Sequence, residues 1–169
     1  MVKIHLDTYL ILGLIGGSFS CQPTTTVQKM NPRQEIALEI ENHLREQVLK
    51  KWFPAVVDKE MGGFYSDFSY KWELDGRQNK RIVSQSRHIG SASKAAEFYP
   101  ENPIFPQIAE HGFQFLRDKM WDPENGIFYD LVDRSGKVLR PQDQPLTKRA
   151  YGNSFAIYGL AAYYELSQK

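Results

Sequence analysis

Two residues stand where a shared chemical site could form, and a repeat in the chain picks them out. The pattern D-x-E-x-G-x-F-Y occurs as Asp58-Lys59-Glu60-Met61-Gly62-Gly63-Phe64-Tyr65 and again as Asp122-Pro123-Glu124-Asn125-Gly126-Ile127-Phe128-Tyr129, every matched pair 64 positions apart. Carrying that offset into the helices that follow sets Arg87 opposite Tyr151 and Ala92 opposite Ala156. Arg87 offers a permanent charge and a fork of donors, and Tyr151 a phenol that can donate or accept, so together they could hold a polar ligand. The repeated carboxylates Asp58/Asp122 and Glu60/Glu124 read as turn holders, because their repetition points to structure and not to an acid–base pair.

The histidines fit catalysis less well. His43 and His111 fall on predicted outer helices, His5 lies in the N-terminal leader, and His88 is turned about 100° from Arg87 on the same helix. Surface or packing roles suit all of them better. Two bland readings of the first pair stay open: Arg87 could pair with Glu97 or a loop carboxylate, and Tyr151 could be core filler.

The elements that must position these residues follow in order. Ile36, Ile40, Leu44 and Val48 recur every four residues, which predicts an amphipathic helix from Arg33 to about Trp52–Pro54, with Asn31 as cap and Pro32 in its first turn. Phe64, Phe68, Tyr70 and Trp72 then alternate with more polar neighbours before Asp75-Gly76, a short hairpin signal. The cluster Arg77, Lys80 and Arg81 reads as a solvated loop. A second helix runs from Ser84 to Tyr99, rich in small residues, and stops at Pro100.

A third helix, about Pro103 to Met120, carries Phe105, Ile108, Phe113, Leu116 and Met120 on one face and parallels the first. After the second motif, residues 127–132 are strand-like, and Asp133-Arg134-Ser135-Gly136 is a turn. Past a loop at Pro141–Pro145, a fourth helix spans Lys148 to Leu166; its apolar residues go nearly all the way round, which predicts burial on most sides. The architecture is helix, hairpin, helix, repeated once, with helices one and three outside and helices two and four inside. Stacked helical hairpins of this kind build solenoids or closed rings. A two-repeat arc leaves an open flank, through which self-association is expected.

The N-terminal segment has its own logic. Lys3 precedes the apolar run 9–15, too short to span a bilayer but suited to a signal peptide, and the single cysteine, Cys21, follows small residues. Residues 1–20 therefore read as a signal peptide and Cys21 as the lipidated first residue of a bacterial lipoprotein, with an ordinary export signal as the next alternative and a cytosolic helix as the last. Residues 21–32, with Gln22-Pro23-Thr24-Thr25-Thr26, form a polar tether, and residues 33–169 the folded part. The expected location is periplasmic or cell-surface, held to the membrane by the lipid.

Composition limits the partners. The chain has 169 residues, 41% apolar and 24% charged, with 21 Lys+Arg against 20 Asp+Glu. A net charge of +1 gives no long-range pull on phosphate, which argues against nucleic acid. There is no His/Cys cluster and no Gly-rich phosphate loop, so neither a metal nor a cofactor is indicated.

With both inner helices placed, Gln85-Ser86-Arg87 and residues 148–158 (Lys-Arg-Ala-Tyr-Gly-Asn-Ser-Phe-Ala-Ile-Tyr) resemble the N-acylglucosamine 2-epimerase and cellobiose 2-epimerase family. The D-x-E-x-G-G-F-Y stretch is similar to that family too, and the likeness runs in order from about Glu35 to the last residue. It implies an (α/α)6 toroid, of which this chain holds about two repeats, with a mono- or oligosaccharide bound at the centre of the inner helices. It also implies a chemistry: the sugar opens, one histidine removes the C2 proton, a second returns a proton to the other face, and some relatives instead isomerise aldose to ketose. Arg87 matches the family's arginine at the reacting end of the sugar, where it would act catalytically on the enediolate. Tyr151 and Asn153 match substrate-binding positions, although packing or capping also suits Asn153. Gly90 and Ala92 stand where the family commonly places aromatic residues, which predicts a wider pocket, and the two histidine bases belong to later inner helices.

Three functions compete on these residues. The chain is expected to be the N-terminal portion of an exported carbohydrate 2-epimerase, inactive alone; the alternative is a lipid-anchored glycan-binding or interaction module. A hydrolase or lyase on a similar toroid would need an acid facing the centre, and the two inner helices offer only Glu97 and Glu165, both near C-terminal ends.

Overall fold

The computed structural model describes residues 30–140 and 148–168. The expected signal peptide, Cys21 and its lipid, the tether up to residue 29 and the loop at Pro141–Pro145 lie outside the described residues. Helix α1 (Pro32–His43) begins as the sequence indicates: the Asn31 side chain accepts from the amides of Arg33 and Gln34, and Gln34 reaches back to the Asn31 amide. A π-helical turn (Leu44–Leu49) leads into α2 (Lys50–Val56), which carries Pro54 inside it. Helix α3 (Ile82–Phe98), helix α4 (Ile104–Phe115) with a π-helical end (Leu116–Met120), and helix α5 (Ala150–Ser167) complete the helical part. The strands are two residues each: β1 (Lys80–Arg81) pairs antiparallel with β4 (Leu131–Val132), and β2 (Trp121–Asp122) with β3 (Ile127–Phe128).

Both motif copies fold the same way. Asp58 accepts from the Glu60 amide and Asp122 from the Glu124 amide, at 3.2 and 3.1 Å, while Gly62 and Gly126 each donate to the aspartate carbonyl at 2.9 Å. The two glycines have φ of +83° and +65°, a region an L side chain resists, so both turns need glycine. Tyr65 then bonds back to Val56, and Tyr129 to Met120. The repeated carboxylates hold turns, as their repetition indicates.

The turns beyond the motifs also match. Ser69 Oγ caps the amides of Lys71 and Glu73 as Asp133 Oδ1 caps those of Ser135 and Lys137. The first hairpin therefore turns at Ser69–Trp72, not at the expected Asp75-Gly76. Trp72 takes φ +66° where the second copy has Gly136 at +94°. Residues 127–132 form two short strands and not one, because β3 and β4 pair with different partners.

Lys80, expected in a solvated loop, is fully buried. Its ammonium lies 3.0 Å from the buried Asp58 carboxylate and also donates to the carbonyls of Gly62 and Arg134. Arg134, from the second repeat, grips the same carboxylate through two nitrogens at 2.9 and 3.1 Å and reaches Glu60 at 2.7 Å. Burial alone would raise the Asp58 pKa, but hydrogen bonds from Arg134, the Met61 amide and Lys80 outweigh it and hold the carboxyl well below the usual range.

The inner helices approach through small residues. Ideal side-chain carbons at Gly152 and Gly159 would collide with Ile82 and with the Ser86 carbonyl. The apolar circumference of α5 is accordingly buried only along Gly152, Ala156, Gly159 and Ala162. Tyr151, Ile157, Tyr158 and Tyr164 are exposed, so the expected burial on most sides is not what forms: among the described residues, neighbours cover α5 on one side only. The apolar stripe Ile36, Ile40, Leu44 and Val48, along α1 and the π-helical turn, is exposed too, and α1 buries no residue.

Asp58→Ala leaves Lys80 buried without its carboxylate and should cost about 3–5 kcal/mol, read by urea denaturation at pH 7. Because the folded-state pKa of Asp58 is depressed, its contribution is complete above the unfolded carboxylate value of about 3.9 and falls as pH drops toward the folded value. The wild type should lose stability below about pH 4 more steeply than the alanine variant; parallel slopes would contradict the ion cluster. Gly159→Ala should cost about 1–3 kcal/mol by pushing α5 off α3, and an unchanged urea midpoint would contradict the close approach.

Candidate active site

A groove of about 870 Å³ runs between the α1–α2 segment and α3. Leu44, Val48 and Trp52 form one wall; Ser84, Arg87, His88, Ser91 and Lys94 form the other. The period of that second set places it on one face of α3.

Arg87 is exposed and, among the described residues, makes no hydrogen bond or ion pair. The suggested partner Glu97 is engaged elsewhere, with Lys94 at 2.9 Å, and Lys94 also reaches Glu165 on α5 at 3.2 Å. The pairing reading of Arg87 therefore fails for Glu97, and no loop carboxylate among the described residues takes its place. His88 lies between the rings of Trp52 and Phe64, at 5.5 and 4.9 Å, with Nδ1 2.6 Å from the Ser84 carbonyl. Burial, with the Arg87 charge nearby, lowers its pKa against the raising effect of the Ser84 bond, which favours the neutral ring. The ring packs between the two aromatics while also lining the groove. His111 likewise contacts the Gly63 carbonyl at 3.0 Å, and His43 is exposed on α1.

Tyr151 is 66% exposed on the first turn of α5, edge-on to Phe155 at 5.1 Å. It does not line the groove with Arg87. The 64-residue offset that set these two opposite each other does not survive to the helices. Gln85 clamps the backbone of Phe64, accepting from its amide and donating to its carbonyl, both at 2.8 Å; Asn153 does the same to Phe128 at 2.8 and 3.3 Å. Lys80 on Asp58 is likewise matched by Lys148 on Asp122. These pairs are 68 apart, because the second copy has four more residues between motif and inner helix. Tyr151 thus corresponds to Val83 and Arg87 to Phe155. Val83 and Arg87 are one turn apart on the same face, so the two candidates still share an aspect of adjacent helices.

Asn153 spends its amide on this clamp and on the Arg149 carbonyl, which is a positioning role. Gly90 and Ala92 do not widen a pocket: Ala92 is fully buried, and the ring of Tyr158 covers Gly90. Gln85, Lys80 and Arg134 carry structural roles that the sequence reading did not assign. Lys80-Arg81 and Lys148-Arg149, each at the start of an inner helix, were the available signal.

No family model matches the sequence. The cellobiose 2-epimerase of Eubacterium cellulosolvens is 35% identical over 122 residues, covering 72% of this chain and 28% of that protein. That of Ruminococcus albus is 33% identical over 129 residues, covering 76% and 31%. This chain is related to the cellobiose 2-epimerases. The solved cellobiose 2-epimerase of Spirochaeta thermophila matches with a TM-score of 0.69 and 30% identity, over 80% of this chain and 32% of that one. The fold is therefore part of the epimerases' (α/α)6 toroid, about two helical hairpins of it, and the chain spans about a third of the length of the relatives it matches.

Gln85→Ala and Asn153→Ala each leave a backbone amide and carbonyl of the motif phenylalanine without partners. Each should cost about 1–3 kcal/mol, with Gln85→Ala the larger because its site is fully buried. Thermal unfolding of both variants checks this, and a neutral Gln85→Ala would contradict the clamp.

Proposed function

We propose that this chain is the N-terminal portion of an exported carbohydrate 2-epimerase and that Arg87 is its catalytic contribution. The observation that carries the proposal is an exposed guanidinium without a protein partner among the described residues, on an inner helix of a fold whose relatives are named for epimerising cellobiose. Taking the hydrogen from C2 of an open-chain aldose leaves an electron pair that spreads onto the C1 carbonyl oxygen. An arginine is suited to that oxygen because its charge is permanent and its donors are forked. Returning a proton to the opposite face of C2 completes the epimerisation, with no net change in atoms.

The proton carriers lie outside this arc in the proposal, since His88 and His111 are occupied with packing and backbone contacts. The chain alone is therefore inactive, and its own part is to bind the sugar's reacting end, with Tyr151 available one turn lower on the neighbouring helix. Export and a lipid on Cys21 belong to the same proposal and rest on the leader sequence.

Calorimetry with cellobiose, paired with deuterium exchange at C2 in heavy water, tests it. Expected are saturable binding weakened at least tenfold by Arg87→Ala and no exchange above the buffer rate. Binding indifferent to Arg87→Ala would remove Arg87 from the site. Exchange by this chain would contradict the assignment of the proton carriers, and absence of binding would contradict the sugar reading.

A further inference from the structure

Between the two repeats lies a carboxylate that the fold encloses but does not satisfy. Asp130 is only 7% exposed, yet among the described residues its side chain meets just two cations, Arg81 and Arg149, each 3.8 Å from the same oxygen, Oδ2. That separation is too long for a hydrogen bond, and a buried carboxylate is costly without one. The arginines stand directly before α3 and α5, 68 positions apart, so each repeat contributes the same residue type to the cluster. Their side chains are 59% and 61% exposed, which leaves donors of both guanidiniums open to a ligand.

A polar cavity of about 280 Å³ adjoins the cluster, lined by Ser66, Asp67, Asn79, Arg81, Ser84 and Leu131. Ser66 is the first-repeat equivalent of Asp130, and its Oγ is likewise buried without a hydrogen-bond partner among the described residues. Ser84 lines both this cavity and the groove that holds Arg87, so the two adjoin there. Arg81 precedes Arg87 by six residues, about 9 Å along a helix axis. One pyranose ring does not span that distance; two linked rings do.

The gap at Asp130 suits a hydroxyl, which donates and accepts at once. A hydroxyl between Oδ2 and Arg81 donates to the carboxylate and accepts from the guanidinium, and a neighbouring hydroxyl does the same against Arg149. Water bridges polar contacts of this length when no ligand does, and a sugar hydroxyl in the same position reproduces its hydrogen bonds. We propose that Asp130, Arg81 and Arg149 form a subsite for vicinal hydroxyls of a second sugar ring, the one linked to the ring whose reacting end meets Arg87. The inference rests on the sugar reading of Arg87 and adds that the chain selects a disaccharide over a monosaccharide. All three residues position the substrate, away from the reacting carbon.

Calorimetry of the full chain with cellobiose and with glucose tests this. Wild type should bind cellobiose at least tenfold more tightly than glucose. Arg81→Met changes an exposed side chain and Asp130→Asn keeps the side chain's shape, so both variants should fold. Each should remove the preference for cellobiose and leave glucose affinity unchanged, whereas Arg87→Ala should weaken both sugars. Cellobiose bound no more tightly than glucose, or a preference that survives both substitutions, would overturn the subsite while leaving Arg87 in place. Variants that weaken both sugars equally would mark a purely structural ion pair and overturn it too. A wild type that binds neither sugar would overturn the sugar reading itself, and the subsite with it.

Discussion

One buried carboxylate holds the two repeats in register. Asp58 lies just past the end of α2, yet its cations come from β1, directly before α3, and from a turn 76 residues away. A buried ammonium is costly without a partner, so Lys80 can enter the interior only where Asp58 already stands. Once Lys80 is there, β1 pairs with β4, and the Ile82 amide bonds to the Asp130 carbonyl at 3.0 Å. The first turn of α3 is fixed by these contacts, and with it the direction in which Arg87 leaves the helix.

Each repeat then solves the same problem with its own amide. Gln85 in α3 and Asn153 in α5 bind both backbone groups of the motif phenylalanine, tying each inner helix to the loop that precedes it. The shorter asparagine suffices in the second copy, where the Phe128 carbonyl bond stretches to 3.3 Å. Glycines at the α3–α5 contact allow a close approach that larger residues would forbid, and the side chains on the opposite aspects remain exposed. Arg87 stands on such an aspect, without a partner among the described residues.

Much of this was legible in the sequence, and the failures have physical causes. The repeated D-x-E-x-G-x-F-Y marks identical turns because a left-handed glycine and an aspartate acceptor are local requirements, visible in a short window. The helices were legible from caps and apolar spacing, to within a few residues. The offset of 64 failed beyond the motif because a four-residue difference in a loop leaves no local trace; only the clamp bonds reveal it. Lys80 was misread since a lysine between two arginines looks solvated until a distant Asp58 and Arg134 are in place. Burial of α5 was overestimated because an apolar sequence reports which faces are apolar, not whether a neighbour covers them. The resemblance carried by Gln85-Ser86-Arg87 and residues 148–158 agreed with the relatives and with the fold.

The most direct measurement is a proton–nitrogen NMR titration of the arginine side chains with cellobiose. Arg87 and Arg134 provide an internal contrast, one without a partner among the described residues and the other locked on Asp58 and Glu60. A saturable shift of the Arg87 Nε–H signal, with that of Arg134 unmoved, is the predicted result. An Arg87 signal that stays still at saturating sugar, or one that moves together with Arg134, would contradict an inner-helix arginine held ready for the sugar.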